Sequence, residues 1–388
     1  MRIVHVTATL DPSAGGLPAV AVRLAAAQSA AGHRVEMVSH SNAAIDGDVH
    51  RSMERVPGGQ NIVRHSVPIR NSLDWAVAFG SRRILPGIIR GADVVHIHGI
   101  WDPIVRWAGI LAYRAGVPYV IAPHGMLDPW SLRQKRWKKK IVLFLAYRRF
   151  IERSAALHCL NETEKQLIVA GGFRCRYEVI PNGVFLNEID PLPERGGFAR
   201  RFPALQGRRF VLFLSRLHYK KGLDYLAEAF ALLAGRFRDV DLVVAGPDGG
   251  AEADFRRQIS QHQLAGRVHL VGPLYGPEKF EAIVDASCLC LPSRQEGFSI
   301  AITEALGCGT PVVISRQCNF PEVAASKAGI ETELDAPVIA GALSRLLEDP
   351  ELMRSMGRAG RALVEERFTW PKVAELTLDL YSRIVKKA

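Results

Sequence analysis

Short β-branched runs alternate with helical stretches of roughly 10–15 residues along most of this chain, and that rhythm limits the available folds more than any other feature. In the second half, residues 210–215, 241–245, 268–271, 288–292 and 311–314 read as strands. Residues 222–234, 251–263, 278–286, 300–307, 337–348, 351–365 and 371–385 read as helices. The first half carries the same rhythm: strand 2–9, turn 11–16, helix 18–31 and strand 34–40. Further runs follow at 94–98, 117–123, 151–159 and 178–181, with a helix over 103–115. Strands alternating with helices mean βαβ units and parallel sheets, so the fold class is α/β. The pattern breaks at 182–197, where Asn182-Gly183, Pro191, Pro193 and Gly196-Gly197 suggest a linker. The expected organisation is a domain over 1–185, a second over 186–370, and a closing helix 371–388 that packs back on the first. Two such doubly wound sheets bound a crevice, and ligands bind outside the carboxyl ends of their strands.

Composition narrows the partners. The 388 residues are 48% apolar and 23% charged, a globular balance, and the net charge of +11 implies an anionic partner. No apolar run approaches the roughly 18 residues a membrane span needs. The first residues already read as a strand rather than a leader, so a cytoplasmic protein is expected. The six cysteines contain no C-x-x-C pair, which favours buried thiols over a metal or redox site.

Two stretches carry most of the chemistry. In Pro292-Ser293-Arg294-Gln295-Glu296-Gly297-Phe298-Ser299-Ile300, a buried strand ends, a turn follows and a helix begins near Ser299, a good N-cap residue. Unpaired amides at such a helix start attract phosphate. Glu296 and Glu304 flank that seat; acids repel phosphate but accept hydrogen bonds from sugar hydroxyls. Spacing alone leaves open a plain surface loop with two solvated glutamates. In the second stretch, Ser215-Arg216-Leu217-His218-Tyr219-Lys220-Lys221-Gly222, Arg216 and Lys221 lie at another strand end and can grip one diphosphate from two directions. Ordinary surface charge is the other reading. His124, alone after an apolar strand, is by itself as readily a packed or capping residue. His96 and His98 lie two apart on a strand, so both imidazoles share one face; without a third ligand nearby, a structural or cleft-lining role is favoured over a metal site.

Taken together, these motifs resemble the retaining glycosyltransferases of family 4, within the GT-B group. Glu296 and Glu304 enclose seven residues, as in that family's E-x7-E pattern. Glu304-Ala305-Leu306-Gly307-Cys308-Gly309-Thr310-Pro311 looks like its continuation, and Arg216 with Lys221 resembles its Arg-x4-Lys pair. Ile180-Pro181-Asn182-Gly183-Val184, Gly15-Gly16 and Ala122-Pro123-His124-Gly125 are similar to its linker start, glycine loop and histidine loop. The resemblance implies a GT-B fold: two Rossmann-like doubly wound parallel-sheet domains facing a central cleft, acceptor-side first and nucleotide-sugar-binding second. It implies transfer of a hexosyl group from a nucleotide diphosphate sugar, carried by UDP or GDP, with retention of configuration and no metal or other cofactor. By matching positions, Arg216 and Lys221 would hold the diphosphate, helped by the amides of Ser299 and Ile300. Glu304 would bind the ribose and Glu296 the sugar hydroxyls, with Gly297 and Phe298 between them. His124 would touch the donor sugar, and Gly16 would allow close approach to the donor phosphate and acceptor.

Most of the positive charge is local. Between Arg133 and Arg153 stand nine basic residues and one acid, a surplus of eight out of eleven. Arg133, Lys135, Arg136, Lys138, Lys139 and Lys140 are interleaved with Trp130, Trp137 and the apolar residues 141–145, a pattern that seeks anionic membrane surfaces. A solvated helix face is the plainer reading. The expectation is a peripheral enzyme at the inner face of the plasma membrane, with a lipid-linked saccharide acceptor in bacterial-type cell-surface polysaccharide synthesis. A dinucleotide-dependent oxidoreductase fits less well: the first turn, Asp11–Leu17, lacks G-x-G-x-x-G, and no acid ends the second strand. A nucleotide-sugar epimerase or phosphorylase of the same fold is the nearer rival. No nucleic-acid-binding module is recognisable, so nucleic acid is not expected as a partner.

Overall fold

The structure, a computed structural model, describes residues 1–41, 43–69, 75, 79–127 and 147–386. It divides into two compact units, Met1–Asn182 with Trp370–Ala388, and Gly183–Thr369.

The first unit is a seven-stranded parallel sheet of β1 (Arg2–Thr9), β2 (Arg34–Ser41), β3 (Val63–Pro68), β4 (Val94–His98), β5 (Tyr119–Ala122), β6 (Ala156–Cys159) and β7 (Tyr177–Val179). The strand order is β3-β2-β1-β4-β5-β6-β7. Its helices start where the sequence provides caps and prolines. Asp102 accepts from the Ile104 amide at 3.0 Å ahead of Pro103–Arg114, and Asn161 accepts from the Glu164 amide at 2.8 Å ahead of Glu162–Ala170. The closing helix, Trp370–Val385, belongs to this unit and buries Trp370, Val373, Thr377, Leu380 and Tyr381.

The second unit repeats the pattern with six parallel strands: β8 (Arg209–Leu214), β9 (Val240–Ala245), β10 (Val268–Gly272), β11 (Cys288–Leu291), β12 (Val312–Ser315) and β13 (Gly329–Thr332). Their order is β10-β9-β8-β11-β12-β13. The inner strands are mostly apolar because helices cover both faces, and the core gathers Phe210, Phe213, Leu242, Leu289, Leu306 and Ile314. In each sheet the order reverses beside the first strand, at β1/β4 and β8/β11, which is where a doubly wound sheet opens to a ligand.

Three expectations are corrected. The stretch 182–197 is not a free linker. Val184, Ile189 and Phe198 lie in the second core, Val184 donates its amide to Phe368 O at 2.9 Å, and Asp190 pairs with Arg361. That anchoring moves the boundary to 182/183 rather than 185/186. The run 151–159 splits: residues 148–152 form a helix and only Ala156–Cys159 is strand, because Glu152, Arg153 and Ser154 interrupt the apolar face. The edge strands β3 and β13 carry no continuous apolar run to signal them. In β3, Val63 is exposed and Arg64, His65 and Ser66 are polar. In β13, Gly329 is the informative residue, since a Cβ there would lie 2.2 Å from Val312 O.

The cysteines are free and, except for half-buried Cys175, buried. Burial pushes the Cys288, Cys308 and Cys318 thiols up to about 12.

Candidate active site

The loops after β8, β11 and β12 converge at the switch point of the second sheet. After β8 the chain makes a tight turn over Tyr219–Lys221, capped by His218, whose ring accepts from the Lys220 amide at 3.1 Å. Gly222 closes the turn at φ 68°, and a Cβ there would lie 1.8 Å from Pro292 O. Only glycine permits that approach, which lays Lys221 against the end of β11.

Lys221 Nζ donates to Glu296 Oε1 at 2.5 Å, and Ser293 Oγ donates to the same oxygen at 2.6 Å. The Glu296 backbone is held from the loop after β12: its amide donates to Gln317 O at 3.0 Å, and Asn319 Nδ2 donates to its carbonyl at 2.9 Å. Beneath it, Ser315 Oγ donates to Ser293 O. Glu296 is only 9% exposed, so this is a built acid rather than a loop glutamate in solvent. The pairing also answers the objection that an acid repels phosphate, because the Lys221 ammonium balances it and keeps further N–H donors for an anion.

Arg216 stands exposed at the end of β8, with no carboxylate partner among the described residues. Its stem crosses Gly249, where a Cβ would come within 2.8 Å of Arg216 Cγ. The segment is fixed by Leu217, whose amide donates to Pro247 O and whose carbonyl accepts from Gly249 N. The helix Ile300–Gly307 begins at Ser299, but the Ser299 side chain makes no capping hydrogen bond to the first-turn amides. Glu304 lies buried in that helix and pairs with Lys279 Nζ at 2.5 Å. Of the residues between the two acids, Phe298 packs at a tilt against Phe320 and Phe368, at 5.2 and 6.1 Å between centroids, and a Cβ on Gly297 would meet nothing within 4 Å.

In the first unit, Gly16 opens the helix Gly16–Ala30, two residues earlier than the sequence suggests, with Gly15 at its N-cap. A Cβ at Gly16 would meet nothing within 4 Å, so packing does not demand the glycine. His124 follows β5 in the left-handed region at φ 52°, a conformation costing roughly 1–3 kcal/mol in a non-glycine residue. Its loop is tied down by Glu164, which accepts from Gly125 N at 2.7 Å and Leu160 N at 2.6 Å. His96 and His98 do share a face, with rings 4.5 Å apart. The absence of a third histidine is corrected: β1 pairs His5 with His96 in register, and His5, His96 and His98 form one buried cluster. Arg133, Lys135, Arg136, Lys138, Lys139 and Lys140 lie outside the described residues.

Residues 14–188 match the family model described as Glycosyltransferase Family 4, and residues 198–363 match Glycosyl transferases group 1. The chain belongs to glycosyltransferase family 4. It is 27% identical to the alpha-maltose-1-phosphate synthase of Mycolicibacterium smegmatis, covering 91% of this chain and 94% of the relative. It is 28% identical to the GDP-mannose:cellobiosyl-diphosphopolyprenol alpha-mannosyltransferase of Xanthomonas campestris, covering 81% and 78%. HepE from Anabaena, solved with UDP and glucose, superposes with a TM-score of 0.78 at 18% identity, over 99% of this chain and all of that one. The fold of this glycosyltransferase is GT-B.

Sequence reading missed several residues of the glycosyltransferase that the structure brings to these places. Lys279 meets Glu304 because the helices before and after β11 pack side by side, and no spacing signals that. Glu164 carried a local clue as the fourth residue of Asn161-Glu162-Thr163-Glu164, but its carboxylate turns to the histidine loop. His5, Gln28 and Tyr381 join the histidines only through strand register and the returning last helix.

Proposed function

We propose that this glycosyltransferase moves a hexosyl group from a nucleotide diphosphate sugar, carried by UDP or GDP, to a saccharide acceptor with retention of configuration. The observation that carries this reading is the switch point of the second sheet. Lys221 and Ser293 hold Glu296, and among the described residues Arg216 has no carboxylate partner and the helix start at Ser299 has no side-chain cap. Breaking a sugar–phosphate bond leaves positive charge at the anomeric carbon and negative charge on the departing diphosphate. Arg216, Lys221 and the amides near Ser299 and Ile300 stabilise that diphosphate without a metal. The acceptor oxygen bonds the anomeric carbon as the bond to the diphosphate breaks, and its proton passes to a departing phosphate oxygen. Glu296 orients the sugar hydroxyls and Glu304 with Lys279 holds the ribose side, while a contact of His124 with the donor sugar rests on its match to the family's histidine loop. HepE's complex with UDP and glucose, and the GDP-mannose in the Xanthomonas enzyme's name, support a nucleotide-sugar donor. A thermal-shift comparison of UDP, GDP and ADP tests this: one diphosphate at a hundred times its dissociation constant stabilises by about 2.7 kcal/mol. No shift with any of the three overturns the donor assignment.

The acceptor in this reading is a lipid-linked saccharide at the inner leaflet, used for cell-surface polysaccharide. The basic segment supports it, as does the polyprenol-linked acceptor in the Xanthomonas enzyme's name. An open groove of about 310 Å³ in the first unit, lined by Arg106, Arg114, Arg149 and Arg153, adds cationic surface. No helix among the described residues is long and apolar enough to cross a membrane. Each basic residue near an anionic leaflet contributes about 1 kcal/mol, so changing Lys138, Lys139 and Lys140 together to Glu is expected to weaken vesicle binding about a hundredfold or more. Flotation with anionic and neutral liposomes measures it, and undiminished binding by the triple variant removes the membrane role.

A further inference from the structure

Five histidines of the first unit form one continuous hydrogen-bonded chain together with Gln28 and Tyr381. His124 Nε2 lies 3.1 Å from His98 Nδ1, and His98 Nε2 lies 2.9 Å from His5 Nδ1. His5 Nε2 meets Gln28 Oε1 at 2.7 Å, and the Gln28 amide nitrogen reaches Tyr381 OH at 3.2 Å and Thr377 Oγ1 at 2.8 Å. Tyr381 OH is 2.6 Å from His96 Nδ1, and His96 Nε2 is 3.3 Å from His158 Nδ1. His158 Nε2 ends the chain 2.8 Å from the carbonyl of Ile180.

We propose that this chain runs in one direction only, fixing His124 as the Nε2–H tautomer and presenting its Nδ1 lone pair to a substrate hydroxyl. The inference rests on the proposed contact between His124 and the sugar. The direction follows from the far end. A carbonyl can only accept, so His158 carries its proton on Nε2 and accepts at Nδ1. His96 must then donate from Nε2 and accept at Nδ1, and the proton it accepts is the Tyr381 hydroxyl. Tyr381 has no second proton, so it accepts from Gln28, whose carbonyl oxygen faces His5. His5 donates to it from Nε2 and accepts from His98, and His98 accepts from His124. Thr377 agrees independently: its hydroxyl donates to Ala374 O at 2.9 Å, which leaves it an acceptor for Gln28.

The argument requires neutral rings, and burial supplies them. Desolvation pushes His5 and His158 down to about 4 and lowers His96, His98 and His124 as well. The same saturation leaves no lone pair of His5, His96 or His98 open to a metal ion without breaking the chain. A hydroxyl facing His124 Nδ1 therefore donates to it, and the ring cannot serve as an acid there. His98, His5, Gln28, Tyr381, His96 and His158 are positioning residues that act through His124.

Long-range nitrogen-15 spectra of the full chain, labelled at histidine and assigned with single His→Gln variants, read the tautomers directly. At pH 7.5 the five rings are expected to be neutral, each protonated at Nε2 with a bare Nδ1, and unchanged by added zinc. A proton on His124 Nδ1, an imidazolium among the five, or a zinc-induced change overturns the proposal. Transmission is read in the double variant Thr377→Val and Tyr381→Phe, which frees the Gln28 amide to rotate. A mixed His124 tautomer and a several-fold lower kcat are expected, and an unmixed His124 signal counts against transmission. The parent spectrum stands as the test should that variant not fold. His124→Ala separates the two readings: parent-level transfer by this variant, alongside the expected tautomers, removes the sugar contact and not the chain.

Discussion

Replacing Lys221 by alanine is expected to lower sugar transfer by two to three orders of magnitude, roughly 3–4 kcal/mol of barrier. Two effects add. The departing diphosphate loses a preorganised cation, and Glu296 loses its ammonium partner and retains, among the described residues, the Ser293 Oγ donor, so the acid that Lys221 balanced now repels phosphate. Initial rates measured over a range of donor concentration check this, alongside the thermal shift produced by the preferred nucleotide diphosphate. Both should fall together, because the same ammonium serves binding and departure. A variant that turns over donor at the parent rate would show that the diphosphate lies elsewhere.

The second large effect is on stability in mild acid. Burial lowers the imidazoles of His5, His96, His98 and His158, to about 4 where a value is resolved, against about 6.5 in an unfolded chain. Between those values the unfolded chain binds more protons than the folded one, so stability is complete above about pH 6.5 and lost as pH falls toward 4. Four rings that stay neutral together cost about 5 kcal/mol per pH unit through that window, comparable with the whole stability of a domain. Carboxylates act later: Glu36, held down to about 2 chiefly by its hydrogen bond from Arg2, contributes until the pH falls below the ordinary carboxylate range. All six tryptophans fall within the first unit, so their fluorescence follows that unit alone through urea unfolding. The midpoint should drop steeply between pH 6.5 and 5.5, and a flat profile over that interval would contradict the burial of neutral histidines.

How much of this could be read from the sequence follows the range of each interaction. The alternation of β9, β11 and β12 with their helices is local, carried by Val-rich and Leu-rich runs and turn residues, and it was legible. So was Gly222, because a turn between strand and helix announces itself over a few positions. The Lys221–Glu296 pair spans 75 residues, and only the switch in strand order between β8 and β11 brings it together. Lys279 opposite Glu304 depends on helix packing across an intervening strand, for which sequence spacing has no signature. The histidines were individually visible and collectively hidden. His5 and His96 meet through β1–β4 register, and Tyr381 arrives from the far end of the chain.

That late arrival bears on synthesis. The ribosome finishes residues 183–369 before it makes the helix that carries Thr377 and Tyr381, so the inserted unit is complete while the unit begun first still lacks one wall. At about 5–20 residues per second, the interval between Asn182 and Tyr381 is on the order of 10–40 s. Throughout it, Gln28 and His96 lack the hydroxyl partner that the last helix brings.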